Sequence, residues 1–360
     1  MTLLLTGASG HVGANLLRRL LVEQEDVRVM VRASTKRQAF ADLPGLTFVE
    51  ADLRDADAVG RAVADCERVY HCAAKVQTVV GGERDLYDTN VLGTRNVLRA
   101  AKQHHVKRVV VTSSLGAVGH PGDRPCNEDD GFYPFAHHMP YEASKAWVEH
   151  ECLQAATEGL QVVMVVSTAV LGPNDYGPSR MGRVIRDFAN RKLNAYLPGG
   201  FEFVAASDLV HGHLLAMRQG RSGQRYIVSS DFLTVDALMD MLARITGVPK
   251  PRLRLPPTVM MGIAHLTTAL LRRAAPTRPL RFTPDAVRLL QMQRRADIGK
   301  AKRELGYTPT AIESAVLAAY EWFVAHGQIE KEQNDHASRT AGLRQRQKSP
   351  PEASRSRAEP

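Results

Sequence analysis

Tyr141 and Lys145 stand four residues apart on a stretch with helical character, and Ser113-Ser114 closes an apolar run that begins at Arg108. Four residues is about one helical turn, so an ammonium at Lys145 lies beside a phenol at Tyr141 on one face. An unperturbed phenol titrates near pH ~10, and a neighbouring cation favours its ionised form. Such a pair suits general acid/base work on a hydroxyl or carbonyl, with Ser114 orienting the reacting oxygen and Ser113 as its substitute. Tyr-x-x-x-Lys also arises on ordinary surface helices. Its weight here comes from what precedes it.

The chain opens with Leu3, Leu4 and Leu5, an apolar run suited to a buried parallel strand, then Thr6-Gly7-Ala8-Ser9-Gly10-His11-Val12-Gly13, then a helix-like stretch from His11 to Leu21. Three glycines in a strand-to-helix turn form a cradle for an anion. Gly7 permits the tight turn, Gly10 lets the backbone approach a pyrophosphate and Gly13 lets the helix pack closely on the strand. The helix N-terminus adds free N–H groups and the positive end of its dipole, so Ser9, His11 and Val12 join the expected binding set. The spacing is G-x-x-G-x-x-G, not G-x-G-x-x-G, and a glycine triplet also serves plain turns. Combined with the Tyr–Lys pair, it points to a nicotinamide-dependent enzyme.

Cofactor choice falls to the end of the second strand, Val27 to Val31, where an acidic side chain would take the adenosine ribose. Here the residue is Arg32, followed by Lys36 and Arg37. A guanidinium there offers a partner to a 2′-phosphate, which favours NADP(H) over NAD(H); solvated surface charge is the alternative. Asp52-Leu53 is expected to cover the adenine, and Ala73 and Ala74 to leave room for the nicotinamide ribose. Two enzyme readings remain, a reductase that releases its cofactor each turnover and a sugar-nucleotide epimerase or dehydratase that recycles it. Arg32 favours the first. An NAD(P)-sensing binding protein on the same fold would lack the Tyr or the Lys.

The glycine turn, Asp52-Leu53, His71-Cys72-Ala73-Ala74, Asn90-Val91-Leu92-Gly93-Thr94, Thr112-Ser113-Ser114 and Tyr141-Glu142-Ala143-Ser144-Lys145 together resemble an extended short-chain dehydrogenase/reductase. Val29-Met30-Val31-Arg32, Leu171-Gly172-Pro173, Asp208-Leu209 and the run from Lys300 to Tyr307 place the likeness near dihydroflavonol-4-reductase-like ketoreductases, 3β-hydroxysteroid dehydrogenases and hopanoid-associated sugar epimerases. The resemblance implies an α/β Rossmann-type doubly wound parallel sheet with a smaller, mostly helical C-terminal substrate part. It gives Ser114, Tyr141 and Lys145 the triad roles, adds Ser167 and Val170 to the cofactor contacts and implies a homodimer through the helices flanking the Tyr helix. Many relatives have proline where Ser167 stands, and His-Val-Asp-Asp where Ala205-Ala206-Ser207-Asp208 stands, which weakens any substrate inference by analogy.

Organisation follows. Residues 1–170 are expected to form the nucleotide part, with 201–230 returning to it, while 171–200 and 231–330 form the substrate part. Tyr176, Arg180, Met181, Phe201 and Phe203 are expected pocket walls, each of which would serve equally as packing. Residues 331–360 read as a disordered basic tail that carries about a third of the formal net charge of +9. No nucleic-acid motif accompanies the charge. With 360 residues and 44% hydrophobic content, the chain buries a full core. Its partner is expected to be a small carbonyl or alcohol.

Cys66, Cys72, Cys126 and Cys152 lack metal spacing and read as free thiols of a reducing cytoplasm, with Cys72 inside a core strand. His137-His138 and the pair His211 and His213 are not expected to bind metal. The apolar start is too short for a secretory signal. Residues 257–271 are too short to span a bilayer and read as a helix of the substrate part, with peripheral membrane attachment the alternative.

Overall fold

The computed structural model describes residues 2–76, 82–132, 139–256, 258–262, 264 and 284–330. His137, His138, the 331–360 tail and most of 257–271 lie outside them. Apolar, β-branched runs make strands buried on both faces: β1 (Leu3–Thr6), β2 (Val27–Val31), β4 (Arg68–His71), β5 (Arg108–Ser114) and β6 (Val162–Ser167), with β3 (Thr47–Glu50) at an exposed edge. With β10 (Arg225–Val228) they form a parallel seven-stranded sheet in the order β10-β6-β5-β4-β1-β2-β3.

Helices α1 (His11–Val22), α2 (Ala56–Val63), α3 (Glu83–Leu86), α4 (Gly93–Gln103) and α5 (Pro140–Thr157) connect these strands, and the helical turns over Tyr87–Leu92 widen before α4. One core lies under α1, and a second lies between the sheet and α2, α4 and α5. The sheet is therefore doubly wound. Chain direction across it reverses between β1 and β4, which opens a crevice at their carboxyl ends where ligands of such sheets bind.

Beyond β6 the chain builds a smaller unit. The chain there runs through β7 (Ala169–Leu171), α6 (Arg180–Ala189), β8 (Ala195–Tyr196), β9 (Gly200–Ala205), α7 (Ala206–Gln219), β10 (Arg225–Val228), β11 (Asp231–Thr234), α8 (Val235–Thr246) and β12 (Leu253–Arg254), of which α7 and β10 lie with the first sheet. β11, β9 and β7 make a three-stranded sheet, over which α6, α8 and the helix Ile312–Ala325 close a third core. The 201–230 stretch therefore divides. Its first strand, β9, joins the second sheet, while α7 and β10 return to the first. Val170 likewise stands in the second sheet. Cys72 is a correction: β4 stops at His71, so the thiol lies just past the strand and is only half-buried. All four cysteines are free.

Among the described residues no helix is long and apolar enough to cross a membrane, and no group of three His, Cys, Asp or Glu is placed to hold a metal. His213 is used otherwise. Its Nδ1 donates to the Leu209 carbonyl (2.7 Å), which leaves Nε2 to accept from the Thr112 hydroxyl (2.7 Å). His71 sits between the Thr6 and Thr94 hydroxyls. Burial drives both below the ordinary imidazole range, to about 4 for His213 and about 3 for His71. A depressed histidine favours the fold above its unfolded pKa of 6.5 and loses that contribution as pH falls towards the folded value. The melting temperature should therefore drop between pH 6.5 and about 4.5. His213→Gln should start lower and fall less steeply; equal slopes in the two proteins would contradict the assignment.

Candidate active site

The glycine turn is built as a cradle because only backbone fits there. Gly7 has φ +74°, and a Cβ on it would stand 2.5 Å from the Ala73 nitrogen. A Cβ on Gly13 would stand 2.2 Å from the Gly7 carbonyl oxygen. The close approach locks α1 onto the end of β1 and sets the turn beside Ala73, across the crevice between β1 and β4. Gly10 caps α1 with no side-chain hydrogen bond, so the first N–H groups of the helix stay available to an anion. His11 is held by the Gly172 and Pro173 carbonyls through Nε2 (3.2 and 3.1 Å), while its Nδ1 is buried with no partner. An open helix start and a turn that excludes side chains fit a dinucleotide pyrophosphate.

Around the cradle, Arg32 and Lys36 are exposed just beyond β2, where the Arg32 N–H donates to the Thr35 hydroxyl (3.0 Å). Arg37 instead lies over the Phe48 ring, 4.1 Å from its centre. Asp52 is paired with Arg54 (2.8 Å), which holds its carboxyl down at about 2, with the charge of Arg32 a smaller contributor. Leu53 packs so tightly on Gly93 that a Cβ there would be 2.8 Å away. Ala73 donates its N–H to the Thr6 hydroxyl (3.3 Å), and the chain just after Ala74 is pinned by Asn90, which exchanges hydrogen bonds with the Lys75 backbone and donates to Ser144 on α5 (3.1 Å).

The catalytic candidates meet where β5 ends. Alternation along the strand turns Thr112 towards His213 on α7 and Ser113 towards Glu149 on α5. Ser114, at the last position, stands against the Tyr141 hydroxyl, where it lowers the phenol pKa, and accepts from the Gly116 N–H (3.2 Å). Of the two serines, Ser114 is the one on the phenol. Lys145, one turn along α5, is buried and donates to the Thr112 carbonyl (2.8 Å). Ser167 lies beside Ser114 in the β5–β6 register.

The electrostatics correct one expectation. The structure does not show a phenol acidified by Lys145. Burial pushes Tyr141 up to about 12, the Ser114 hydrogen bond opposes this, and the charges that act on it are Glu142, which raises it, and Arg180, which lowers it. Lys145 is itself pushed down to about 8 by burial, against the pull of Cys152, Glu149 and Cys72. At neutral pH the phenol is protonated, the state of a proton donor.

The expected pocket walls separate. Arg180, at the start of α6, lies within electrostatic reach of Tyr141 and Glu142. Tyr176 is turned away towards α1: its hydroxyl accepts from Arg18 (2.6 Å) and its ring stands edge-on to Trp322. Phe203 is core, 1% exposed, because it lies on the inner side of β9; Phe201 and Met181 are half-buried against the same core. Sequence reading missed Glu149, although its four-residue step from Lys145 puts it on the same helix face.

The model of the NAD dependent epimerase/dehydratase family matches residues 3–229. Sterol demethylase protein B of Methylococcus capsulatus is 42% identical over 331 residues, covering 91% of this chain and 100% of that protein. A Synechocystis sp. protein with the provisional description dihydroflavonol 4-reductase is 33% identical, covering 90% of this chain and 95% of its own length. The crystal structure of gox2253 superposes with a TM-score of 0.79 at 30% identity, covering 91% of this chain and 99% of that one.

Gly13→Ala is expected to weaken NAD(P)H binding about tenfold or more, because the added methyl must push α1 off the turn. Fluorescence titration of the folded variant measures this, and wild-type affinity would contradict the cradle.

Proposed function

The chain belongs to the NAD dependent epimerase/dehydratase family and is an NAD(P)-dependent oxidoreductase, and from that premise we propose that it is an NADP-dependent ketoreductase or alcohol dehydrogenase acting on an apolar carbonyl or secondary alcohol. The observation that carries the reading is the Ser114 hydroxyl set against the Tyr141 phenol at the carboxyl end of β5, one helical turn from Lys145. The glycine cradle would hold the cofactor pyrophosphate, and Ala73, Ala74, Ser167 and Val170 would surround its nicotinamide half. When bound, the cofactor supplies or accepts the hydride.

The rest of the chemistry belongs to the chain. Tyr141, kept neutral by its burial, gives its proton to the carbonyl oxygen during reduction. Ser114 is preset for a second hydrogen bond to that oxygen, since Gly116 occupies one of its lone pairs and fixes the hydroxyl. Lys145 holds a positive charge at the base of the site and would donate to the ribose hydroxyls of the cofactor. Arg180 adds positive potential beside the phenol.

Arg32 and Lys36 support NADP(H) over NAD(H), because exposed cations past β2 suit a 2′-phosphate and no acidic side chain stands at Arg32 for a ribose. That choice also favours the reductase over an internally recycling sugar-nucleotide epimerase or dehydratase. The named sterol and ketone chemistry of relatives supports an apolar ring or chain substrate; a ketoreductase of Stigmatella aurantiaca acting on a farnesylated quinoline oxide is 27% identical over 85% of this chain. Free thiols support a cytoplasmic setting, and the exposed Trp147 and Leu153 on α5 support a homodimer through that helix.

Two outcomes test the reading. With a panel of steroid, flavonoid, aryl and β-keto carbonyls followed by NADPH absorbance, Tyr141→Phe should lower kcat by about 10²–10⁴-fold while NADPH affinity stays at the wild-type value. Undiminished turnover would refute the role of the phenol. Arg32→Asp should raise the KM for NADPH about tenfold and leave NADH little changed; an unaltered preference would defeat the cofactor assignment.

A further inference from the structure

Glu149 follows Lys145 on α5 by the same step that separates Lys145 from Tyr141, and its side chain is fully buried. A buried carboxylate is costly unless both oxygens are satisfied. Here Oε1 accepts from the Ser113 hydroxyl (2.5 Å) and Oε2 pairs with the Arg225 guanidinium (2.9 Å). Arg225, at the start of β10, also donates to the Glu128 and Asp130 carbonyls and lies over the Phe132 ring. One carboxylate thus joins α5, the end of β5, the edge strand β10 and the 128–132 segment. Ser113 adjoins Ser114, so the link sets how α5 lies across the residue that touches the phenol.

We propose that Glu149 is a positioning residue: by gripping Ser113 and Arg225 it fixes α5 on the end of β5, so that Tyr141 meets Ser114 and Lys145 meets the Thr112 carbonyl. It also supplies the anion that keeps Lys145 charged in a buried place. The groups around that amine are Glu149 and Cys152 on α5, His71 at the end of β4 and Cys72 just past it, with Arg225 behind Glu149. Of these, Glu149 is the carboxylate. Without its charge, burial and the orphaned Arg225 both push Lys145 towards the neutral amine.

The inference rests on the reductase reading for its kinetic readout, and a second readout is independent of turnover. Lysine labelled with ¹³C at Cε, with the Lys145 signal assigned through Lys145→Arg, reports the Lys145 midpoint by NMR. In Glu149→Gln the midpoint should move down by about one pH unit, kcat should fall about tenfold or more with KM values within about threefold, and the alkaline limb of kcat should move with the midpoint. Glu149→Gln/Arg225→Leu, with both charges gone, should give a midpoint between the wild type and the single variant. Glu149→Asp, which keeps the charge on a shorter arm, should restore the midpoint and leave kcat reduced. An unmoved midpoint and pH profile in Glu149→Gln, with only a lower melting temperature, would overturn the proposal. Where Glu149→Gln does not fold, Glu149→Asp decides, and wild-type kcat in it counts against the proposal. Should the wild type oxidise no NADPH with any carbonyl, the reductase reading fails, and the NMR midpoints still decide the role of Glu149.

Discussion

The placement of α5 across the end of β5 governs everything else in the site. Three successive strand residues are each engaged from outside the sheet: Thr112 by His213 on α7 and, through its carbonyl, by Lys145 on α5, and Ser113 and Ser114 by Glu149 and Tyr141 of the same α5. Strand side chains alternate, so a slip of one residue would point Ser114 into the core and bring Ser113 to the phenol. The register is held from both sides, because β5 is paired along its length with β4 and β6. Asn90 then ties the segment after β4 to the same helix, which brings both into one frame.

Burial sets the charge state of that frame. A phenol held near 12 and an amine held near 8 are what a sheltered, low-dielectric site does to groups that ionise in opposite senses. Both shifts favour neutral forms. A neutral phenol suits proton donation in reduction, while the amine needs an anion to stay charged, and Glu149 supplies it. Arg180 enters from α6 of the other unit, so that unit contributes to the electrostatics of the phenol.

Much of this was legible from residues whose function is a backbone constraint. Gly7 and Gly13 sit where neighbouring backbone leaves no room for a side chain, and a Tyr-x-x-x-Lys step on a helix fixes its own geometry. The end of β2 marks Arg32 by position alone. Other features depend on contacts between distant segments. Arg225 meets Glu149 across 76 positions, Tyr176 is drawn away from the pocket by Arg18, 158 positions upstream, and Phe203 is core because β9 joined a sheet that no local pattern announces. The acidity of the phenol was misread for the same reason: spacing shows which charges are near in sequence, and burial, the larger effect, is a property of the packed molecule.

Isotope transfer tests the central claim most directly. With NADPH carrying deuterium at its reactive carbon and a carbonyl that the wild type reduces, the product should gain one deuterium on the new carbinol carbon for each NADP formed, and Tyr141→Phe should lose this transfer while still binding NADPH. Product that forms without the label, or a cofactor that returns to its reduced form with no net oxidation, would contradict the account.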